Sequence, residues 1–217
     1  MTSYHLNGTN ESGEYLIQVF KNRGTETVYR KNNYIFREGE SPDYVYFVVE
    51  GLIKISQSTE EGQGITLFLR QPEEMFGSAE AVTNTTRQRY ARCLQNSTVI
   101  QLDRGIFQEM ATKDPVFSYA IAAISSRRLL LTQRFVETLI SRPVTWRLAW
   151  FLVQSGRRSQ NQIDVSLQLS HEELSYMIGC SRQTVTETLN KWRDRGLIDY
   201  TKKKITIFEP DSFLGHL

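Results

Sequence analysis

Between Asp114-Pro115 and Arg142-Pro143 the sequence runs for nearly thirty residues without an internal glycine or proline. Asp114 can accept from the first free amides of a helix and Pro115 suits its first position, so the spacing predicts one long helix. Phe117, Ile121, Ile124, Leu131 and Phe135 recur at alternating steps of four and three, the seam of a coiled coil. A helix of this length cannot bury both its sides against one small domain. Pairing with a second copy about a two-fold axis is the economical solution, so a homodimer is expected. The seam skips one position, and Arg128 fills it. A guanidinium on an apolar stripe must meet an anion, either a partner carboxylate or a bound ligand.

This helix divides a chain of 217 residues, long enough for two domains. Before it, from about Thr27 to Leu102, short segments rich in β-branched and aromatic residues alternate with turns. Val45–Val49 and Leu52–Ser56 are strands, and the two-residue break Glu50-Gly51 between them predicts a hairpin. Ile65–Leu69 follows the turn Glu61–Gly64, and Thr98–Leu102 closes the series. Many short strands with regular turns suggest a β-sandwich or a β-roll. Residues 1–25 are polar and read as an arm with a short helix around Glu14–Lys21.

After the long helix the pattern changes again. Thr145–Gln154 is an amphipathic helix and Ile163–Leu167 a strand. Ser170 then opens a helix as N-cap, with Glu173 three residues on completing a capping box. That helix, His171–Ile178, ends at the tight turn Gly179-Cys180-Ser181, and Arg182–Arg195 forms the next. Helix, short glycine-containing turn and second helix are the helix-turn-helix signature. Gly196 stops the second helix, and Leu197–Tyr200 with Lys204–Phe208 makes a hairpin wing.

In that motif the start of the second helix enters the major groove. Here it carries Ser181, Arg182, Gln183 and Thr184, then Thr186 and Glu187 one turn on. Arg182 can donate a bidentate pair to guanine, and Gln183 can pair likewise with adenine. Ser170, Ser181, Thr184 and Thr186 offer hydroxyls, and Glu187 could accept from cytosine or repel a phosphate. The wing lysines Lys202, Lys203 and Lys204 suit backbone phosphates. The charge distribution agrees: residues 1–140 carry 15 Lys and Arg against 16 Asp and Glu, whereas residues 141–217 carry 11 against 8.

Other function classes find no support. Cys93 and Cys180 are too few for an iron–sulfur cluster or a four-thiolate zinc site, and reduced thiols are expected. His5, His171 and His216 show no metal-ligand spacing and none falls among the strands, so neither metal nor haem is expected. There is no nucleophile–base pair and no phosphate loop, so the chain does not read as an enzyme. The polar N-terminus lacks the pattern of a secretory signal and no long apolar run suits a membrane span. A cytoplasmic protein is expected.

With these residues in view, the chain resembles the catabolite-activator/fumarate–nitrate regulator (CRP/FNR) superfamily over roughly residues 27–209. Ile178–Thr186 resembles its recognition turn, with Arg182 at the guanine-reading position. Phe36-Arg37-Glu38-Gly39, Val45–Gly51 and Phe76-Gly77 resemble its sensor. The resemblance implies an α+β protein: an N-terminal double-stranded β-roll of the cyclic-nucleotide-binding type, a long dimerisation helix and a C-terminal winged helix-turn-helix. The implied parts are an arm (1–26), the roll (27–113), the dimerisation helix (114–142) and the DNA-binding domain (143–217).

Within the superfamily, Ser125–Arg128, Val136–Leu139, Leu169–His171 and Lys202–Ile207 resemble the cyanobacterial global nitrogen regulators of the NtcA type. These sense 2-oxoglutarate, which implies an effector site made of Phe76, Gly77, Ser78, Ala79, Arg87 and Arg128. Arg89 competes with Arg87, because the intervening loop is shorter than the family's; two residues apart on a strand, they share a face, so the sequence does not choose between them. Gln133 stands where the subfamily has a glutamate, and Glu187 where relatives place a DNA-contacting arginine. A dicarboxylate wants guanidinium forks and backbone donors screened from water, which agrees with this set. Cyclic AMP is the alternative effector: its binders place a glutamate where Ser78 stands, although Thr132 matches a threonine of theirs. A constitutive regulator, or a nucleotide-type module acting on a partner protein, are further alternatives. The resemblance also implies a palindromic DNA operator and contact with RNA polymerase through the loop Ser155–Gln162. It places the protein in a bacterial cytoplasm, cyanobacterial in origin, or in a plastid stroma.

Overall fold

The computed structural model describes residues 11–58, 64–165, 169–201, 204–213 and 215. They fall into two compact units, divided between Leu130 and Leu131.

The first unit opens with α1 (Glu11–Arg23), then β1 (Thr25–Tyr29), β2 (Tyr34–Phe36), β3 (Tyr44–Glu50), β4 (Ile53–Ser58) and β5 (Gly64–Arg70). It continues with β6 (Met75–Phe76), α2 (Ser78–Thr83), β7 (Tyr90–Cys93), β8 (Ser97–Asp103), α3 (Arg104–Lys113) and α4 (Pro115–Ser141), within which the division falls. The strands make two four-stranded antiparallel sheets, ordered β1-β8-β3-β6 and β2-β7-β4-β5. Between them lie Tyr46, Val48, Phe76 and Val99 of one sheet and Ile35, Phe36, Ile53, Ile55, Ala91 and Cys93 of the other. The opposite face of β3 and β8, with Val45, Phe47, Ile100 and Leu102, packs under the helices through Leu16, Phe20, Phe107 and Phe117. Burial on both faces explains why Val45–Val48 reads as a continuous apolar run rather than an alternation, while Val49 is exposed.

Three expectations are corrected here. The break at Glu50-Gly51 is not a hairpin: β3 pairs with β8 and β6, while β4 pairs with β5 and β7. Gly51, at φ 109°, carries the chain from one sheet to the other, and a Cβ there would lie 2.2 Å from the Ser97 hydroxyl. Only glycine combines that dihedral with that approach. The N-terminal segment is more than an arm, because α1 buries Leu16, Val19 and Phe20 in the core of the roll.

The third correction concerns α4. Asp114 caps it as expected, Oδ1 accepting from Val116 N at 2.9 Å and Phe117 N at 3.1 Å. The first three residues of the seam, however, do not face outward. Phe117 is fully buried against Phe107, and Ile121 and Ile124 pack on the same core. The outward stripe is the neighbouring heptad register Tyr119, Ala122, Ser126, Leu129, Gln133, Val136 and Ile140, every member exposed. Tyr119 at 66%, Leu129 at 58% and Ile140 at 84% exposure leave a large apolar face on one chain.

The second unit holds the remainder of α4, then α5 (Val144–Ser155), β9 (Arg157–Ser159), β10 (Gln162–Val165), α6 (His171–Ile178), α7 (Arg182–Asp194), β11 (Ile198–Tyr200), β12 (Ile205–Phe208) and α8 (Pro210–Phe213). One antiparallel sheet, ordered β11-β12-β10-β9, backs the three helices α5, α6 and α7. Trp192 of α7 is its largest buried side chain, meeting Phe213 edge-on at 5.1 Å among Leu148, Leu152, Leu174, Ile178 and Leu189. The segment expected as an exposed loop, Ser155–Gln162, carries β9 and turns through Gln160 into β10 as a short hairpin.

Candidate functional site

Around β6 the first unit gathers arginines. Phe76 is buried and stacks on Tyr46 at 5.0 Å, and Gly77 follows at φ 75° as the residue that opens α2. A Cβ on Gly77 would come within 2.8 Å of Arg87 Nη1 and 3.3 Å of the Tyr46 ring. Ser78 is half-buried and Ala79 exposed at the start of α2.

Arg87 and Arg89 are told apart. Both precede β7 instead of lying on a strand, so they do not share a face. Arg87 is 1% exposed; its Nη1 donates to the Gly77 carbonyl at 2.8 Å and reaches Glu80 Oε2 at 3.4 Å. Its Nη2 donates to the Tyr44 carbonyl, and the guanidinium lies 4.3 Å from the centre of the Phe36 ring. Arg89 is half-buried and donates to the Gln88 carbonyl. Arg87 therefore frames the Phe76-Gly77 corner.

Arg128 reaches from α4 to the start of β6. Its Nη2 donates to the Met75 carbonyl. Burial and the neighbouring Arg70 push the guanidinium down to about 10, against the pull of Glu74, so it stays charged at neutral pH. The pull of Glu74, a carboxylate of the same unit, thus acts on Arg128, an option the sequence did not suggest. Arg70 and Glu74 were missed altogether, although an i, i+4 Arg–Glu pair between the apolar runs Ile65–Leu69 and Met75–Phe76 was visible. Gln133 is exposed and lies beyond the division of the two units.

The second unit presents the start of α7. Ser181 caps it, accepting from Thr184 N at 3.0 Å, and shares a hydrogen bond with the Thr184 hydroxyl at 2.8 Å. Arg182 is exposed on the first turn. Gln183 is exposed too, but its amide donates to Glu187 Oε1 at 2.8 Å, which offsets the donor that a bidentate adenine pair would need. Thr186 donates to the Arg182 carbonyl at 3.0 Å and meets His171 Nδ1 at 2.8 Å. Ser170 serves its capping box: it accepts from Glu173 N, and Glu173 Oε2 accepts from both its backbone amide and its hydroxyl.

His171 was not singled out for this face. Its ring stands 6.0 Å from Tyr200 of the wing as well as against Thr186, so one side chain ties α6, α7 and β11. Burial first, and then Arg182, pushes its pKa below the usual value of about 6.5. Lys204 is exposed and pairs with Asp164 at 3.0 Å, holding that carboxyl below its usual range. Lys202 and Lys203 lie outside the described residues.

Two known families match these two units. The cyclic nucleotide-binding domain matches residues 26–114 and the Crp-like helix-turn-helix domain residues 146–213. The global nitrogen regulator of Synechocystis sp. is 32% identical over 207 residues, covering 90% of this chain and 92% of its own. The chain belongs to the CRP/FNR family of transcription regulators. This regulator is also 27% identical to the CRP-like cAMP-activated global transcriptional regulator of Mycobacterium tuberculosis, over 82% of this chain and 81% of that one. Its fold matches that of FixK2 from Bradyrhizobium japonicum with a TM-score of 0.79 at 20% identity, covering 89% and 96% of the two chains. As a CRP/FNR regulator it is a DNA-binding protein and not an enzyme. Among the described residues no helix is long and apolar enough to cross a membrane.

Proposed function

We propose that this regulator is a homodimeric activator whose DNA affinity is gated by a small anionic effector, 2-oxoglutarate in first place, acting on nitrogen-related genes. The observation that carries the reading is Arg128: the long helix sends a charged, largely buried guanidinium onto the Met75 carbonyl, one residue before Phe76-Gly77. A ligand carboxylate held by Arg128 beside Phe76, Gly77, Ser78 and Ala79 ties the roll to α4, with Arg87 as the frame that sets the corner. Arg89 is left out of this set, its guanidinium turned to the Gln88 carbonyl. The likeness to global nitrogen regulators favours 2-oxoglutarate and nitrogen genes. The likeness to cAMP-activated regulators keeps cyclic AMP as the second reading, against which Ser78 speaks. Calorimetric titration of the purified protein with both ligands decides. Binding of 2-oxoglutarate alone is expected; cyclic AMP binding alone transfers the site to a nucleotide, and silence with both leaves a constitutive regulator.

The exposed heptad face of α4 supports the dimer. Leu129→Glu and Val136→Glu each place a charge in that face and are expected to give monomers in sedimentation at micromolar concentration, where the parent runs as a dimer. If both variants stay dimeric, another surface joins the two copies. The dimer presents two copies of α7 to a palindrome, with Arg182 on guanine and Lys202, Lys203 and Lys204 on phosphates. The β9–β10 hairpin, with exposed Arg158, is the surface offered to RNA polymerase.

A further inference from the structure

His171 is half-buried where α6, α7 and β11 meet, and its hydrogen bonds assign its tautomer. A threonine hydroxyl carries one proton. Thr186 donates its proton to the Arg182 carbonyl at 3.0 Å, so the 2.8 Å bond between Thr186 Oγ1 and His171 Nδ1 is donated by the imidazole. The proton of the neutral ring therefore stands on Nδ1, and Nε2 is a bare acceptor. Nε2 makes no hydrogen bond among the described residues and is open to solvent. Adding a proton there breaks nothing, because Nδ1–H is present in both charge states.

The ring is also where a DNA backbone passes. His171 opens α6, and in a helix-turn-helix the first helix crosses the backbone while the start of the second reads bases. Thr186, its partner, lies one turn after Arg182 on α7. The charges around the ring do not supply it with an anion. Burial first, and then Arg182 from α7, hold His171 below the usual 6.5, so it is neutral in the free protein at neutral pH. Glu187 of α7 accepts from Gln183 at 2.8 Å. On its own helix, Glu173 Oε2 accepts from Ser170 and Glu172 Oε1 from the Tyr176 hydroxyl at 3.3 Å. From β11 comes the Tyr200 ring, with the Arg193 guanidinium 5.2 Å from its centre, while Asp199 points to the other face of the strand.

We propose that His171 is a further DNA-contacting residue, which takes up a proton from solvent as the regulator binds and donates from Nε2 to a backbone phosphate. It rests on DNA binding through α7 and is independent of the effector. A bare lone pair repels a phosphate oxygen, whereas the protonated ring makes a charge-assisted hydrogen bond with it. The phosphate thus raises the pH at which His171 loses its proton. Affinity grows as the pH falls through that raised value, and levels off once the free protein is protonated as well. The gain is the same on any sequence, because phosphates carry no base information.

The test is fluorescence anisotropy of the full chain, at fixed salt, on a labelled palindromic duplex selected in vitro against the parent and on the same duplex altered at one base pair. At about pH 6 the parent is expected to bind at least about fivefold more tightly than at about pH 8, on both duplexes alike. His171→Asn keeps a donor for Thr186 without a counterpart of Nε2, and is expected to change less than about twofold over that range. Should it fail to fold, His171→Gln, whose amide donates without taking up a proton, is expected to be equally flat. A pH dependence kept by the folded variant assigns the proton to another group and overturns the proposal. So does a parent whose affinity is flat, or one that weakens at the lower pH as a bare acceptor on a base amino group would. If selection against the parent enriches no duplex, the DNA reading of α7 falls with it.

Discussion

Replacing Arg87 with alanine is expected to destabilise the β-roll by about 3–5 kcal/mol, the cost of removing one partner from a buried ionic network. The substitution strips the Gly77 and Tyr44 carbonyls of their donor and leaves the Glu80 carboxylate facing a void. It also removes the planar group lying on Phe36. In thermal denaturation the loss corresponds to a fall of roughly 10 °C or more in the melting of this unit. Arg89→Ala is the control: a half-buried side chain bonded only to the neighbouring Gln88 carbonyl among the contacts described, whose removal is expected to cost about 1 kcal/mol. A variant lacking Arg87 that melts with the parent would contradict the framing role and return this residue to the effector.

The second large effect is on DNA. Arg182→Ala is expected to lose roughly 1–3 kcal/mol per half-site, concentrated at one base pair. Each half-site loss corresponds to about 5–150-fold in affinity, and a two-fold operator counts it twice. The reason is position: Arg182 is exposed on the first turn of α7, ahead of a helix anchored by Val185, Leu189 and Trp192 in the core. Affinities against operators changed one base pair at a time locate the effect. A uniform loss across all operators would make Arg182 a phosphate contact instead.

Local chemistry was legible in the sequence wherever one residue type suffices. The Asp114-Pro115 cap, the Ser170–Glu173 capping box and the turn after Ile178 are met in the structure within a residue or two. What was hidden depends on distant partners. The seam of α4 was found by its period, but Phe117, Ile121 and Ile124 have the roll itself beneath them, so the period alone could not say which stripe faces out. Glu50-Gly51 has the composition of a hairpin, yet β8 lies beside β3 and takes its hydrogen bonds. Arg87 and Arg89 are alike in sequence, yet Arg87 is fully buried and Arg89 half-buried, because the chain before β7 is irregular and does not set them on one face. Gln183 was assigned to adenine as a lone amide, while Glu187 one turn on engages it. For Arg128 the missing knowledge was Glu74, more than fifty residues away in sequence.

The most direct measurement of gating is fluorescence anisotropy of a labelled palindromic duplex, obtained by in vitro selection, titrated with the regulator at fixed salt. A ligand shifts DNA affinity only through its differential affinity for the two arrangements of the protein, and a coupling of roughly 1–3 kcal/mol amounts to about 5–150-fold. Saturating 2-oxoglutarate is therefore expected to tighten binding within that range, and Arg128→Ala to keep the ligand-free affinity in both conditions. Equal affinity of the parent with and without the dianion, or an Arg128→Ala variant that responds as the parent does, would contradict the account.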